Sequence, residues 1–202
     1  MRGGCTELNP YPTALCPVRY RALSPMKLAI FDKDNTLTTP KSGARFVQNP
    51  EDQMLLPGVA EGIAALAANG WAIAIASNQG GVAAGHKSED DALSEMAHCL
   101  KLLPQISVAL FCPDFEGWIC IAVSQNNSKM LNICRDYADL KQQYRKPGRG
   151  MLMAAQRFLG GDFEEVFFVG DRPEDEQAAA AAGVPFLWAN EWRATWAEIA
   201  KR

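Results

Sequence analysis

The sequence lacks the long apolar run of about 18 residues that a membrane-spanning helix needs, which argues against a membrane span. It also lacks a dominant charge: 20 basic against 23 acidic residues leave a formal net charge of −3, so no bulk basic field advertises nucleic acid. A local basic patch that engages one strand end stays compatible with that balance. No CxxC or CxH pair occurs among the six cysteines, so a zinc site has no sequence frame. Such a site would need Cys112, Cys120 and Cys134 to converge in space; the ordinary reading is buried or incidental thiols. No secretion signal is legible, which disfavours a disulfide framework and suggests a cytoplasmic protein. A GxxxxGK[ST] phosphate loop is absent too, so the chain carries no kinase of that type. Histidine is scarce: His98 reads as structural within a helix, and His86 as a loop residue near a pocket.

What is present is an ordinary globular composition, 48% hydrophobic and 21% charged. Residues 1–26, with Cys5, Cys16, arginines and prolines but no apolar core, read as a loosely ordered leader, and Met26 stands where a natural start would. From Lys27 onward strand and helix alternate. Strands are expected at Lys27–Asp32, Trp71–Ala76, Ile106–Phe111, Glu165–Val169 and Val184–Trp188. Helices are expected after Pro57-Gly58, from Ser88 and Asp91 with a stripe of Leu93, Met96, Ala97 and Leu100, from Pro147, through the alanines before Gly183, and over 192–201. This rhythm predicts a three-layer, Rossmann-like α/β fold: a parallel sheet with helices on both faces, in one domain over 27–202. Two excursions interrupt it, at 39–56 and 112–145. The second is expected to hold a β-hairpin, Trp118–Ser124 and Lys129–Cys134, around the polar turn 125–128. Both should leave the sheet at its carboxyl edge and wall a pocket.

The most informative run is Phe31-Asp32-Lys33-Asp34-Asn35-Thr36, where a buried strand ends on two acids one residue apart. A parallel strand favours apolar side chains on both faces, so carboxylates at its carboxyl end mark where packing stops and a site begins. In an extended chain Asp32 and Asp34 project the same way, and Lys33 points away as a solvent-facing or salt-bridged lysine. Other strand ends supply Ser77 and Asn78, then Asp171 and Asp175, while Lys146 precedes a helix. Carboxylates, a hydroxyl and an ammonium suit phosphoryl transfer: hard oxygens bind Mg2+, one carboxylate serves as nucleophile, another as acid and base, and the lysine balances charge.

With Asp32-Lys33-Asp34-Asn35-Thr36, Ser77-Asn78-Gln79, Lys146-Pro147 and Gly170-Asp171-Arg172-Pro173-Glu174-Asp175 in this order, the chain resembles the haloacid dehalogenase (HAD) superfamily, in its small-cap subfamily III phosphatases. The resemblance covers about 27–190. It implies that Asp32 attacks phosphorus and that Asp34 protonates the leaving oxygen and then deprotonates water. It further implies that Ser77 binds a phosphoryl oxygen, that the backbone of Lys33 and Asn78 cradles phosphate, and that Lys146 neutralises the nucleophile or phosphate. Magnesium would sit on Asp32, Asp171 and the backbone carbonyl of Asp34, with Asp175 supporting the metal or orienting Lys146, and Thr36 would bond locally to hold the loop. Asn35 replaces a frequent glycine, a change asparagine tolerates because it accepts positive φ. The zinc loop of sugar-phosphate and histidinol-phosphate members is not matched by these cysteines, which counts against a heptose bisphosphate or histidinol phosphate substrate.

The expected function is therefore magnesium-dependent phosphomonoester hydrolysis through an aspartyl-phosphate. The partner would be a phosphorylated small molecule or, alternatively, a nucleic-acid 3′ end; oligomeric state is not legible. Arg135, Arg145, Arg149 and Arg172 could hold a second phosphate or a nucleic-acid backbone, and the run from Arg172 to Ala179 is similar to phosphatase domains of polynucleotide kinase-phosphatases. A non-catalytic phosphate-binding protein on the same fold and a phosphomutase are the rival readings. None of Asp32, Asp34 and Lys146 is lost, against the first, and two short excursions give little lid, against the second.

Overall fold

The computed structural model describes residues 27–125, 127–132 and 137–199; the expected leader over 1–26, Arg135 and Cys134 fall outside them. The described residues begin with β1 (Lys27–Phe31), β2 (Thr38–Thr39), β3 (Met54–Leu55), α1 (Val59–Ala68), β4 (Trp71–Asn78), α2 (Glu89–Leu102) and β5 (Val108–Cys112). It continues through β6 (Ile121–Ser124), β7 (Asn127–Asn132), α3 (Gly150–Phe158), β8 (Glu165–Gly170), α4 (Pro173–Ala182), β9 (Phe186–Trp188) and α5 (Ala189–Ile199).

Among the described residues seven strands form one sheet in the order β7-β6-β5-β4-β1-β8-β9. The five strands from β5 to β9 in that order run parallel, and β1 pairs Ile30 with Ala74 on one side and Phe168 on the other. Strand side chains alternate between two apolar layers, which is why these segments read as continuous hydrophobic runs. Ala29, Phe31, Ile73, Ile75, Ala109 and Phe111 pack with α1, α2 and α5. Leu28, Ile30, Ala74, Ala76, Val108 and Phe168 pack on the opposite face with α3 and α4. The three-layer α/β architecture is thus as the sequence rhythm predicts.

Local signals explain the boundaries. Ser88 and Asp91 form a reciprocal capping box at the start of α2, with Ser88 Oγ accepting from the Asp91 N–H at 3.0 Å. Gly183 ends α4 at φ 68°, where a residue without Cβ is favoured. Gly58 has φ 84° and meets α5 so closely that a Cβ would lie 2.3 Å from the Arg193 carbonyl oxygen. Pro147 stands three residues before α3 rather than inside it, because the helix begins at Gly150.

The two excursions behave differently. The first is closed by β2 and β3, which pair antiparallel as Thr38 with Leu55 and Thr39 with Met54. In the second, β6 and β7 do not stand over a pocket. They extend the main sheet antiparallel beyond β5, because Ile121, Ala122 and Val123 are apolar enough to cover its edge and both faces. Among the described residues no helix is long and apolar enough to cross a membrane.

Since β4 lies between β1 and β5, its fully buried Ile75 is a sensitive probe of the core. Ile75→Ala is expected to cost about 2–5 kcal/mol in urea unfolding without a change in m value.

Candidate functional site

The chain leaving β1 runs to β4 on one side and the chain leaving β8 runs to β9 on the other, so a crevice opens outside the carboxyl ends of β1 and β8. Asp32 begins the β1 exit, and its N–H donates to the Val169 carbonyl at 2.8 Å. The following turn is tight: Leu37 and Thr38 both donate to the Lys33 carbonyl, at 2.9 and 3.0 Å, and Asn35 donates to Thr38 O at 2.8 Å. Asn35 adopts φ 62°, the left-handed conformation that asparagine accepts more readily than most residues. The local bond expected of Thr36 is not made; its buried hydroxyl has no hydrogen-bond partner, and the backbone closes the turn instead.

Lys146 crosses the crevice from the loop before α3. Its Nζ donates to Asp32 Oδ1 at 2.6 Å and to the Ala76 carbonyl at 2.8 Å, and pairs with Asp175 Oδ1 at 2.6 Å. The backbone of Lys146 is clamped by Asn78, whose Oδ1 accepts from Lys146 N at 3.0 Å while its Nδ2 donates to Lys146 O at 2.9 Å. Asp175 is fully engaged, because its Oδ2 also accepts the N–H groups of Asp171 and Arg172 at 3.2 and 3.1 Å. Gly170 is needed for this approach: a Cβ there would lie 2.4 Å from Asp175 Cβ.

Asp34 turns to a second network. One oxygen pairs with Lys33, and the other accepts from Gln79 Nε2 at 3.1 Å; the same amide donates to Ser77 Oγ at 2.9 Å. Lys33 is not solvent-facing. It is fully buried and salt-bridged, reaching Gln53 Oε1 at 3.3 Å and Glu95 Oε2 at 3.9 Å. Its partners come from the first excursion, through Gln53, and from α2, the helix that packs on the Phe31 face of the sheet and carries Glu95. Lys87 completes the network, donating to Gln79 Oε1 at 2.5 Å and Glu95 Oε2 at 2.7 Å. Gln53, Gln79, Lys87 and Glu95 carry no role in the sequence reading. Glu95 had a readable signal: it lies one position before Met96 on the stripe of α2, and a carboxylate on a buried face needs a partner.

The acids differ in their electrostatics. Burial raises the Asp32 carboxyl to about 7, with Asp175 and Asp34 adding to the rise and Lys146 opposing it. Burial also opposes ionisation of Asp34, but the charge and hydrogen bond of Lys33 outweigh it and hold Asp34 below its ordinary value. Asp171 is raised by burial and then by Asp175.

Asp32, Asp171 and Asp175 bring carboxylate oxygens within 4.8 Å of one another, and among the described residues this is the single group of acid, histidine or cysteine side chains with such spacing. Asp171 Oδ1 is buried without a hydrogen-bond partner, whereas both oxygens of Asp175 are taken. An orphaned carboxylate oxygen beside a second carboxylate fits a hard cation such as Mg2+. The Asp34 side chain, occupied by Lys33 and Gln79, lies outside this group, so a contribution from Asp34 would come through its backbone carbonyl. Of the three cysteines that a zinc site would need, Cys112 and Cys120 are buried, with Cys112 Sγ 3.1 Å from Asp114 Oδ1, and Cys134 falls outside the described residues.

A cavity of about 1020 Å³ opens above the acids. The first excursion lines it with Arg45, Phe46 and Gln48; the second contributes Phe115 and Arg145 but not its hairpin strands. Of the arginines singled out in the sequence, Arg145 and Arg172 reach this cavity, while Arg149 lies elsewhere, donating to Gln143 Oε1 at 3.2 Å. His86 lines it as well.

A family model described as polynucleotide kinase 3 phosphatase matches residues 27–187. A D-glycero-beta-D-manno-heptose-1,7-bisphosphate 7-phosphatase of Rhodopseudomonas palustris is 31% identical over 170 residues, covering 81% of this chain and 84% of that protein. A phosphatase of the same name from Pseudomonas putida is 28% identical, covering 78% of this chain and 79% of its own length. Among solved structures, a D,D-heptose 1,7-bisphosphate phosphatase from B. bronchiseptica, complexed with magnesium and phosphate, superposes with a TM-score of 0.57 at 26% identity, covering 80% of this chain and 79% of that one.

Because Asp32 is raised from 3.8 to about 7 when folded, the metal-free native state keeps a proton that the unfolded chain releases from about pH 4 upward. Metal-free protein is therefore expected to lose stability relative to Asp32→Asn as pH rises from 4 to 7, levelling off above that. Thermal melting of both proteins in chelator across that range checks the slope, and saturating Mg2+ should flatten it.

Proposed function

The chain belongs to the HAD-type phosphatases, within the family described as polynucleotide kinase 3 phosphatase, and from that premise we propose that it hydrolyses a phosphomonoester with magnesium through an aspartyl-phosphate on Asp32. Enzymes of this type are phosphoric monoester hydrolases. The strongest support is the pairing of Asp32 Oδ1 with Lys146 Nζ at 2.6 Å beside the unpartnered Asp171 Oδ1.

In this reading an Asp32 oxygen attacks phosphorus while the ester P–O bond breaks, and Asp34 gives its proton to the leaving oxygen. Asp34 then takes a proton from water, whose oxygen attacks the same phosphorus and frees phosphate and Asp32. The pull of Lys33 favours the anionic, proton-accepting form of Asp34, which suits the second half of the cycle. Gln79 fixes the Asp34 carboxylate and occupies one lone pair of Ser77, leaving the Ser77 O–H to donate to a phosphoryl oxygen. The Lys33 and Asn78 backbone would complete the phosphate cradle. Lys146 would neutralise the nucleophile and the transferring group, held by Asp175 and Asn78. Magnesium on Asp32, Asp171 and the Asp34 carbonyl would supply positive charge that offsets repulsion between these acids and an anionic substrate.

For the substrate we favour a phosphorylated small molecule such as a sugar bisphosphate. The relatives named for heptose bisphosphate support it even though this chain lacks a matching zinc loop. Arg145 and Arg172 on the cavity wall could hold a second phosphate. A nucleic-acid 3′-phosphate is the second reading, favoured by two exposed aromatic rings at the cavity, Phe46 and Phe115. Each carries an arginine, Arg45 and Arg145, at 5.2 Å from its ring centre, an arrangement suited to stacked bases and phosphates.

Phosphate release from heptose 1,7-bisphosphate, other sugar phosphates and a 3′-phosphorylated oligonucleotide separates the two, and preferential turnover of the oligonucleotide would reject the sugar reading. Asp32→Asn is expected to lower kcat/KM by at least about 1000-fold on any active substrate with the fold kept by circular dichroism. Full activity in that variant would overturn the mechanism.

A further inference from the structure

The closing helix α5 enters the site in a way that its sequence does not announce. Arg193 extends from it to the turn that follows Asp34, and one guanidinium nitrogen, Nη1, donates to Asn35 O at 2.7 Å and Thr36 O at 3.0 Å. The Thr36 and Thr38 hydroxyls are buried without hydrogen-bond partners, and Asn35 sits at φ 62°, a conformation that non-glycine residues adopt only when their surroundings enforce it. The Asn35 N–H is bonded to Thr38 O at 2.8 Å, so with Arg193 on the Asn35 carbonyl both peptide planes flanking this residue are fixed.

The base of Arg193 is itself closely packed. Its neighbour Trp192 is buried with its ring edge-on to Phe31, centres 4.8 Å apart, and closes on Gly62, where a Cβ would meet the indole at 2.6 Å. Gly58 permits the same close approach to the Arg193 backbone. The guanidinium is partly desolvated, which lowers its pKa, and Asp171 is near enough to oppose that shift.

We propose that Arg193 is a positioning residue for the proposed phosphatase site: by holding the Asn35 and Thr36 carbonyls it sets the orientation of the Asp34 peptide, whose carbonyl would face the metal, and of the Asp34 carboxylate. This rests on the phosphatase reading for its purpose. Both bonds come from the two N–H groups of Nη1, whose directions the guanidinium plane fixes; lysine would supply charge without that fixed direction. Groups that orient a metal ligand contribute to affinity and rate although they touch neither metal nor substrate.

The test measures Mn2+ binding by electron paramagnetic resonance, steady-state kinetics and thermal melting on the full chain, for wild type, Arg193→Met and Arg193→Lys. Arg193→Met is expected to weaken Mn2+ binding by about 10- to 100-fold and to lower kcat by a similar factor, with KM changed far less and the metal-free melting temperature nearly kept. Arg193→Lys should recover part of both losses. Wild-type Mn2+ affinity and kcat in Arg193→Met would overturn the proposal. So would a loss explained by a lowered melting temperature with no recovery in Arg193→Lys, or a wild type that binds no Mn2+. A wild type that binds Mn2+ but hydrolyses no phosphomonoester would instead count against the phosphatase reading, and the binding titration would still decide the role of Arg193.

Discussion

Asp32, Lys146 and Asp175 form a buried ion triad, and the local architecture can be understood as the set of conditions that makes it tolerable. A lone ammonium or carboxylate shielded from water costs several kcal/mol, in the range of about 3–5 when one partner of a buried pair is removed. Lys146 avoids that cost only because two carboxylates and the Ala76 carbonyl meet it at once, all between 2.6 and 2.8 Å. Each partner comes from a different element: Asp32 from the end of β1, Ala76 from β4, Asp175 from the first turn of α4. The sheet order, with β1 between β4 and β8, brings these ends together. The Asn78 clamp on the Lys146 backbone and the missing side chain at Gly170 are the local adjustments that let the three groups touch.

Around this triad the protein separates two acids that stand two residues apart. Asp32 lies against Lys146 with its proton affinity raised by burial, while Asp34 is drawn down by Lys33. Lys33 can remain charged in a fully buried position because Glu95, Gln53 and Asp34 surround it, and Glu95 is in turn shared with Lys87. This chain of contacts runs from α2 to the turn after β1 and places Gln79 against both Asp34 and Ser77. Pairs of acids with opposed environments are the physical basis on which nucleophile and acid–base duties can be divided, and here Gln53, Lys87 and Glu95, outside the family motifs, support the motif residues Lys33 and Gln79 that set Asp34 apart.

The excursions also divide their work. The segment closed by β2 and β3 carries Arg45 and Phe46 to the cavity, and the segment after β5 carries Phe115 and Arg145 to the opposing wall before and after its strands. The hairpin between them serves the sheet. In both segments a guanidinium group lies on an aromatic face.

Much of the fold was legible in order and periodicity. Apolar runs such as Leu28–Phe31 and Ile73–Ala76 could only be buried strands, and helical stripes of ten to fourteen residues between such strands imply a parallel sheet covered on both faces. The polar residues that end those strands, Asp32, Ser77, Asn78 and Asp171, were equally legible, because a buried strand that stops on a polar group marks a sheet edge. Three things were decided only in three dimensions. Lys33 turned inward because its partners, Gln53 and Glu95, are 20 and 62 positions away in the chain; neither can be inferred from the strand alternation around it. Asp175 became the holder of Lys146 because both of its oxygens are claimed by groups that the fold brings to it. Arg193 reached the Asn35 turn from 158 residues away, since α5 packs on β1 through Trp192. Periodicity reports which face of an element is apolar, whereas the partner of a long, flexible charged side chain depends on which distant segments the packed core sets beside it.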